Sequence, residues 1–142
     1  MILSKSCEYA IKATIYIASK SRDGKKSGIV EISDEIGSPQ YFTAKILQTL
    51  VKENVISSTK GPTGGFYMDI YKPLHLIDIV KAIDGDAIFS SCALGLKKCS
   101  AKNPCPMHKQ IAPIRSKLLQ LFSQKTVDET TEDFILGQVF LK

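Results

Sequence analysis

No uninterrupted apolar run in these 142 residues approaches the length a helix needs to cross a bilayer. The opening Met1-Ile-Leu-Ser-Lys-Ser-Cys-Glu8 lacks the basic stretch followed by an apolar one that marks a secretory signal. There is no internal repeat and no low-complexity tract. A phosphate-binding glycine loop, a nucleophile–base pair and a paired-carboxylate site are all missing, which argues against an enzyme. Strong charge of one sign is missing too. Residues 1–72 hold ten Lys/Arg against seven Asp/Glu, and residues 73–142 hold nine against seven, for a net charge of +5. So mild and even a charge is compatible with nucleic acid without deciding for it. The expectation is a cytoplasmic protein with no membrane partner. In that compartment thiols stay reduced, and clustered cysteines bind metal more often than they pair. The length suits about one domain with a proper core, and 44% apolar and 23% charged residues are ordinary for a globular chain.

What is present begins with helical periodicity. From Ser4 to about Lys20, Ile11, Ile15 and Ala18 recur at helical spacing; Ser4 can cap, and Glu8 sits in the first turn where the dipole favours it. The polar run 21–27 reads as a loop. A short helix with Ile29, Ile32 and Ile36 on one face ends at Gly37. Ser38-Pro39 then predicts a new start, with Ser as cap and Pro in the first helical position. Up to about Asn54 the stripe Phe42, Ile46, Leu47, Leu50 and Val51 faces inward, leaving Tyr41, Ala44, Lys45, Gln48 and Lys52 outward. Two short helices about a glycine turn, the second with a polar and basic outer face, form a helix-turn-helix. Residues 55–69, with the tip Gly61-Pro-Thr-Gly-Gly65, read as a β-hairpin in the place of a wing. A further helix is expected over Leu76–Ile83, with Leu76, Ile79, Val80 and Ile83 inward and Gly85 beyond its end. Later, Ile111, Ile114, Leu118, Leu121 and Phe122 make a seam on a long helix with Pro113 near its start. Such a seam packs on its own domain or pairs with a twin. Thr126-Val-Asp-Glu129 is a capping box opening a short terminal helix around Phe134–Leu136.

This order favours DNA. In a winged helix-turn-helix the second helix enters the major groove with its amino-terminal residues nearest the bases. Gln40, Tyr41, Ala44 and Lys45 are then the candidate readers: Lys45 for guanine or phosphate, Gln40 for adenine, Ala44 for a thymine methyl. Lys60 at the wing tip is placed for phosphate or the minor groove, and Gly61, Gly64 and Gly65 allow close backbone approach. The competing reading is a winged fold used for protein contact, with Lys45 and Lys52 solvated and Tyr41 packed on a neighbouring helix.

A second signal lies in Cys92-x6-Cys99-x5-Cys105-x2-His108, a stretch with little apolar content and neither helical nor strand period. Structural zinc sites use cysteine pairs two to four residues apart, and only Cys105 and His108 are that close. Wider gaps suit a loop wrapped around a larger object such as an iron–sulfur cluster. Zinc and a bare redox-active thiol set remain alternatives. Lys97, Lys98, Lys102 and Lys109 would offset thiolate charge. His75, before an apolar helix, reads as structural, and Cys7, among apolar neighbours, as a buried inert thiol.

With Leu3-Ser4, Tyr9-Ala10, the helix 42–50, the wing Lys60-Gly-Pro-Thr-Gly-Gly-Phe66 and the three-cysteine loop together, nearly the whole chain resembles the Rrf2 family of winged-helix transcription regulators, and within it the iron–sulfur cluster regulators. The resemblance implies a homodimer whose long helix after the cysteine loop crosses between subunits, each reading head taking one half of a pseudo-palindromic double-stranded operator. It also implies a [2Fe–2S] cluster held by Cys92, Cys99, Cys105 and His108, and DNA contacts at Tyr41, Ala44, Lys45 and Lys60. Lys60 stands where the family commonly has arginine, and the first cysteine gap is one residue longer than in those cluster regulators. The expected architecture is mainly α with a small hairpin wing: a winged domain over 1–85, a cluster loop over 86–110, and a dimerisation helix with a C-terminal helix over 111–142.

Overall fold

A computed structural model describes residues 2–142. Ser4 opens the first helix by accepting the Cys7 N–H at 3.0 Å, and its own N–H and hydroxyl both donate to the Asp84 carboxylate. Helix α1 runs Lys5–Arg22, ending two residues past its expected limit. Its burial is far wider than the Ile11–Ile15–Ala18 stripe. Cys7, Ala10, Ala13, Thr14, Tyr16, Ile17 and Ser19 are buried as well, so other elements surround the helix. Small residues permit this close packing. The hydroxyl of Thr14 is kept from costing stability by donating to the Ala10 carbonyl at 2.8 Å.

Helix α2 (Ile29–Ile36) ends at Gly37 in the left-handed conformation, φ +69°, as its sequence requires. Helix α3 (Gln40–Lys52) follows, and here the expected cap is corrected by one residue. Pro39 is the cap: its φ of −62° and ψ of 139° keep it extended, while its carbonyl accepts the first helical bond from the Thr43 N–H at 2.9 Å. Ser38 sits outside the helix, its hydroxyl against that of the fully buried Thr43. The inward stripe is as expected, with Ile46, Leu47 and Leu50 buried and Phe42 and Val51 packed against the core.

The wing pairs strand β1 (Ser57–Thr59) with β2 (Gly65–Tyr67) antiparallel, Ser58 opposite Phe66. A third extended segment joins it. Ser27 exchanges both backbone bonds with Phe66, at 2.9 and 2.8 Å, so the end of the supposed 21–27 loop is sheet edge. Helix α4 (Leu76–Ile83) matches its expected limits, and Ile77 joins its buried face. The His75 N–H donates to Asp78 at 2.8 Å, which supports a structural role for His75.

A short helix α5 (Ala87–Ser90) leads into the irregular cysteine loop, and α6 (His108–Gln124) leaves it with Pro113 in its second turn. The α6 seam divides. Phe122 is buried, 5.9 Å centroid to centroid from Phe89, Leu118 packs on the core and Ile111 is half-buried, while Ile114 and Leu121 stay exposed. Helix α7 (Val127–Ile135) begins with both capping-box bonds, Glu129 N–H to Thr126 Oγ1 and Thr126 N–H to Glu129 Oε2, each 3.0 Å. It packs along α1, where Arg22 binds Asp128 and Glu132. The segment 111–142 thus does not stand apart from 1–85: Phe122, Val127 and Leu141 belong to one core with Ile17, Leu47 and Val80. Among the described residues no helix is long and apolar enough to cross a membrane.

Burial, with the Asp84 and Glu8 charges adding to it, pushes the Cys7 thiol up to about 12 from an ordinary 9.0. A folded-state value raised above the unfolded one means full stability below pH 9 and loss as pH climbs toward 12, because only the unfolded chain ionises there. Urea titrations from pH 8 to 11 should therefore give wild type a steeper alkaline loss of stability than Cys7→Ala. Parallel curves would show that Cys7 ionises equally in both states.

Candidate DNA-reading and cysteine-loop sites

The reading helix presents Gln40, Tyr41, Lys45 and Gln48 to solvent, with Ala44 half-buried between them. Tyr41 is 72% exposed, which removes the alternative that it packs on a neighbouring helix. Instead the Lys45 ammonium lies 4.7 Å from the centroid of its ring, one helical turn away. An exposed lysine resting on an aromatic face loses less rotamer freedom when it meets an acceptor, so the two form one partly ordered surface pair.

At the wing, Lys60 and Gly61 are exposed. The three glycines do different work. Gly61 has φ +101° and open space where a Cβ would stand. A Cβ at Gly64 would lie 2.2 Å from the Thr59 carbonyl oxygen, and one at Gly65 would lie 3.0 Å from the Ser27 carbonyl oxygen. The glycine requirement at 64 and 65 thus comes from the chain folding on itself, and Gly61 is the one open outward. Sequence reasoning also passed over Lys26, whose ammonium lies 5.4 Å from the Tyr67 ring centroid beside the wing.

In the cysteine loop, Cys99 Sγ lies 3.3 Å from His108 Nδ1, His108 being the first residue of α6. Cys92 and Cys105 are both buried free thiols, with Cys105 near enough to Cys92 to influence it. Backbone N–H groups of Leu96 and Leu94 point at the Cys92 sulfur and hold its thiol below the ordinary value; partial burial opposes them, and Cys105 and the Gly95 N–H add to the lowering. Among the described residues no three such side chains converge on one point. An open pocket of about 530 Å³ lies along Ser90–Cys92 and Gly95–Cys99. Cys99 has a further partner that the sequence did not suggest, Arg115 of α6, whose guanidinium donates to its sulfur at 2.9 Å. Helical spacing placed Arg115 off the apolar seam, but spacing alone does not reveal which loop an arginine meets.

Comparison with known proteins agrees with this geometry. Residues 3–133 match the family described as Rrf2, iron-dependent transcriptional regulator. An HTH-type transcriptional regulator of Aquifex aeolicus is 34% identical over 134 residues, covering 91% of this chain and 90% of that protein. Among solved structures, T. potens IscR superposes with a TM-score of 0.73 at 15% identity, covering 96% of this chain and 90% of that one. CymR, the global cysteine regulator of B. subtilis, gives 0.71 at 14% identity, with 92% and 95% covered. At such identities the two structures speak for the fold, a mainly helical winged domain with a small antiparallel sheet.

The glycine geometry is testable. Gly64→Ala should disorder the wing tip, seen as faster amide exchange across 59–65, because carbonyl backbone must move. Gly28→Ala, with φ −86° and nothing within 4 Å of the added Cβ, should leave exchange across 59–65 unchanged, its cost confined to the start of α2, which Gly28 caps better than alanine. Equal exchange in the two variants would contradict this assignment.

Proposed function

Because the chain belongs to the Rrf2 family of transcriptional regulators, non-enzymatic DNA-binding proteins, we propose that it is a homodimer whose affinity for a pseudo-palindromic operator is set by an iron–sulfur cluster on the 92–108 loop. The observation that carries the reading is the Cys99–His108 contact on a loop fastened to α6, with the free thiols of Cys92 and Cys105 buried near each other in the same loop. A single zinc ion needs four donors about one centre. Donors spread over a loop beside an open pocket suit an object with two metal atoms, and three thiols with an imidazole suit [2Fe–2S]. Bound there, such a cluster would supply sensitivity to iron supply and redox state. T. potens IscR shares the fold, and IscR proteins also appear among the sequence relatives, that of Pectobacterium atrosepticum at 20% identity over 91% of this chain.

The chain's own residues then do the following. The α3 amino terminus enters the major groove, where Tyr41 and Lys45 meet base edges and Gln40 and Ala44 flank them. Lys60 and the open Gly61 meet the sugar-phosphate backbone from the wing. The exposed pair Ile114 and Leu121, seven residues apart on one face of α6, offers a second copy an apolar surface, which would set the distance between two reading heads. Ordering or release of the loop at His108, the first residue of α6, changes the equilibrium between binding-competent and incompetent spacings. A second reading, thiol sensing without metal, is favoured by the nearness of Cys105 to Cys92 and the lowered Cys92 thiol; a zinc-bearing winged protein used only for protein contact has no comparable support.

Fluorescence anisotropy across a salt series separates the DNA contacts. Lys60→Ala should weaken binding to all sequences alike and reduce the salt slope by about 1, whereas Lys45→Ala should also relax preference at one base pair by about 1–3 kcal/mol. Unchanged preference in the second variant would make Lys45 a phosphate contact. Separately, Cys99→Ala should abolish iron and acid-labile sulfide incorporation while circular dichroism and sedimentation stay those of a folded dimer. Normal iron loading in that variant would exclude Cys99 as a ligand.

A further inference from the structure

Arg115 lies on α6 seven residues after His108, two turns along the same face, about 10 Å at the helical rise. Its guanidinium reaches two separate parts of the cysteine loop. Nη1 donates to the Ser91 carbonyl at 2.6 Å, next to Cys92, and Nη2 donates to Cys99 Sγ at 2.9 Å. Cys99 is therefore held by α6 at two points, from His108 and from Arg115. The other cations of the region, Lys97, Lys98, Lys102 and Lys109, stand exposed, whereas Arg115 is half-buried. A planar fork with nitrogens in fixed geometry can hold two acceptors at once, which a single ammonium does less well.

We propose that Arg115 is a positioning residue: it fastens the start and middle of the cysteine loop to α6, and it makes the position of α6 depend on what Cys99 binds. The inference rests on the cofactor reading above. An N–H bond and a positive charge directed at a ligand sulfur favour the more negative, reduced state of a cluster, so Arg115 would also raise its reduction potential. On the other side of the bond, Arg115 is followed one turn later by Leu118 and then by Phe122, which pack on the winged core. A shift of Cys99 thus reaches the helix immediately beside the contacts that seat it.

Arg115→Gln and Arg115→Lys test this with three readouts. In metal-free protein, amide exchange over residues 91–99 should quicken in both variants, because neither side chain keeps both hydrogen bonds. In reconstituted protein the reduction potential should fall in the Gln variant and recover in part with Lys, which restores charge alone. The ratio of operator affinities with and without cluster should approach one in the Gln variant while iron content and dimerisation persist. Wild-type exchange, potential and affinity ratio in Arg115→Gln would overturn the proposal. Failure of wild type to take up iron under anaerobic reconstitution would overturn the cofactor reading and with it the coupling. The metal-free exchange experiment would then still decide whether Arg115 clamps the loop.

Discussion

The enclosure of α1 is the constraint on which the other elements depend. This eighteen-residue helix meets α2, α3, α4, α7 and the second wing strand, and the small Cys7, Ala10, Ala13 and Ala18 let neighbours approach closely around the larger Ile15, Tyr16 and Ile17. One consequence is mechanical. The reading helix α3, the wing and the C-terminal helix are all referenced to one central rod, so none can shift far without opening the core. The Ser4–Asp84 lock adds a fixed point at the end of α4, a few residues before the cysteine loop. Close packing of this kind moves as units instead of deforming smoothly.

Against that rigid half, the loop from Ser91 to Met107 is built differently. It has few apolar contacts, is largely exposed, and is attached at identifiable places: Phe89 against Phe122 before it, Arg115 across it, and the Cys99–His108 contact at its end. Regions with few buried contacts lie at the low-stability end of a fold, where a ligand can shift populations. The attachments all end on α6, whose outer face carries the exposed Ile114 and Leu121. Loop, α6 and the proposed subunit contact thus form one continuous series of contacts, and α4, which packs on both α6 and α3, links that series to the helix-turn-helix.

Much of this was legible because local chemistry and tertiary structure agree. Ser4, Gly37 and the Thr126–Glu129 box marked helix ends, since caps are satisfied within a few residues. The apolar stripe of α3 was readable because only one face is buried. Where burial is wider, period fails: Thr14, Thr43 and Thr131 are fully buried, each hydroxyl donating to the carbonyl four residues back, and an apolar count misses them. Ser27 read as loop because a lone bridge to Phe66 depends on distant partners, and the contact between α7 and α1 is equally non-local. At the candidate site, the cysteines and His108 stood out in the sequence. The Cys99–His108 contact and the Arg115 bonds did not, because both depend on how an aperiodic loop returns to a helix.

The most direct test of cluster control is operator binding by one anaerobic preparation measured before and after the metal is stripped by a chelator, with visible spectrum, iron and acid-labile sulfide assayed on the same sample. The account predicts visible absorption with both elements present, and an operator affinity that changes at least several-fold when they are lost while the protein remains folded. A colourless, iron-free protein that binds its operator identically with and without added iron and sulfide would contradict it, leaving the DNA-binding fold without the proposed switch.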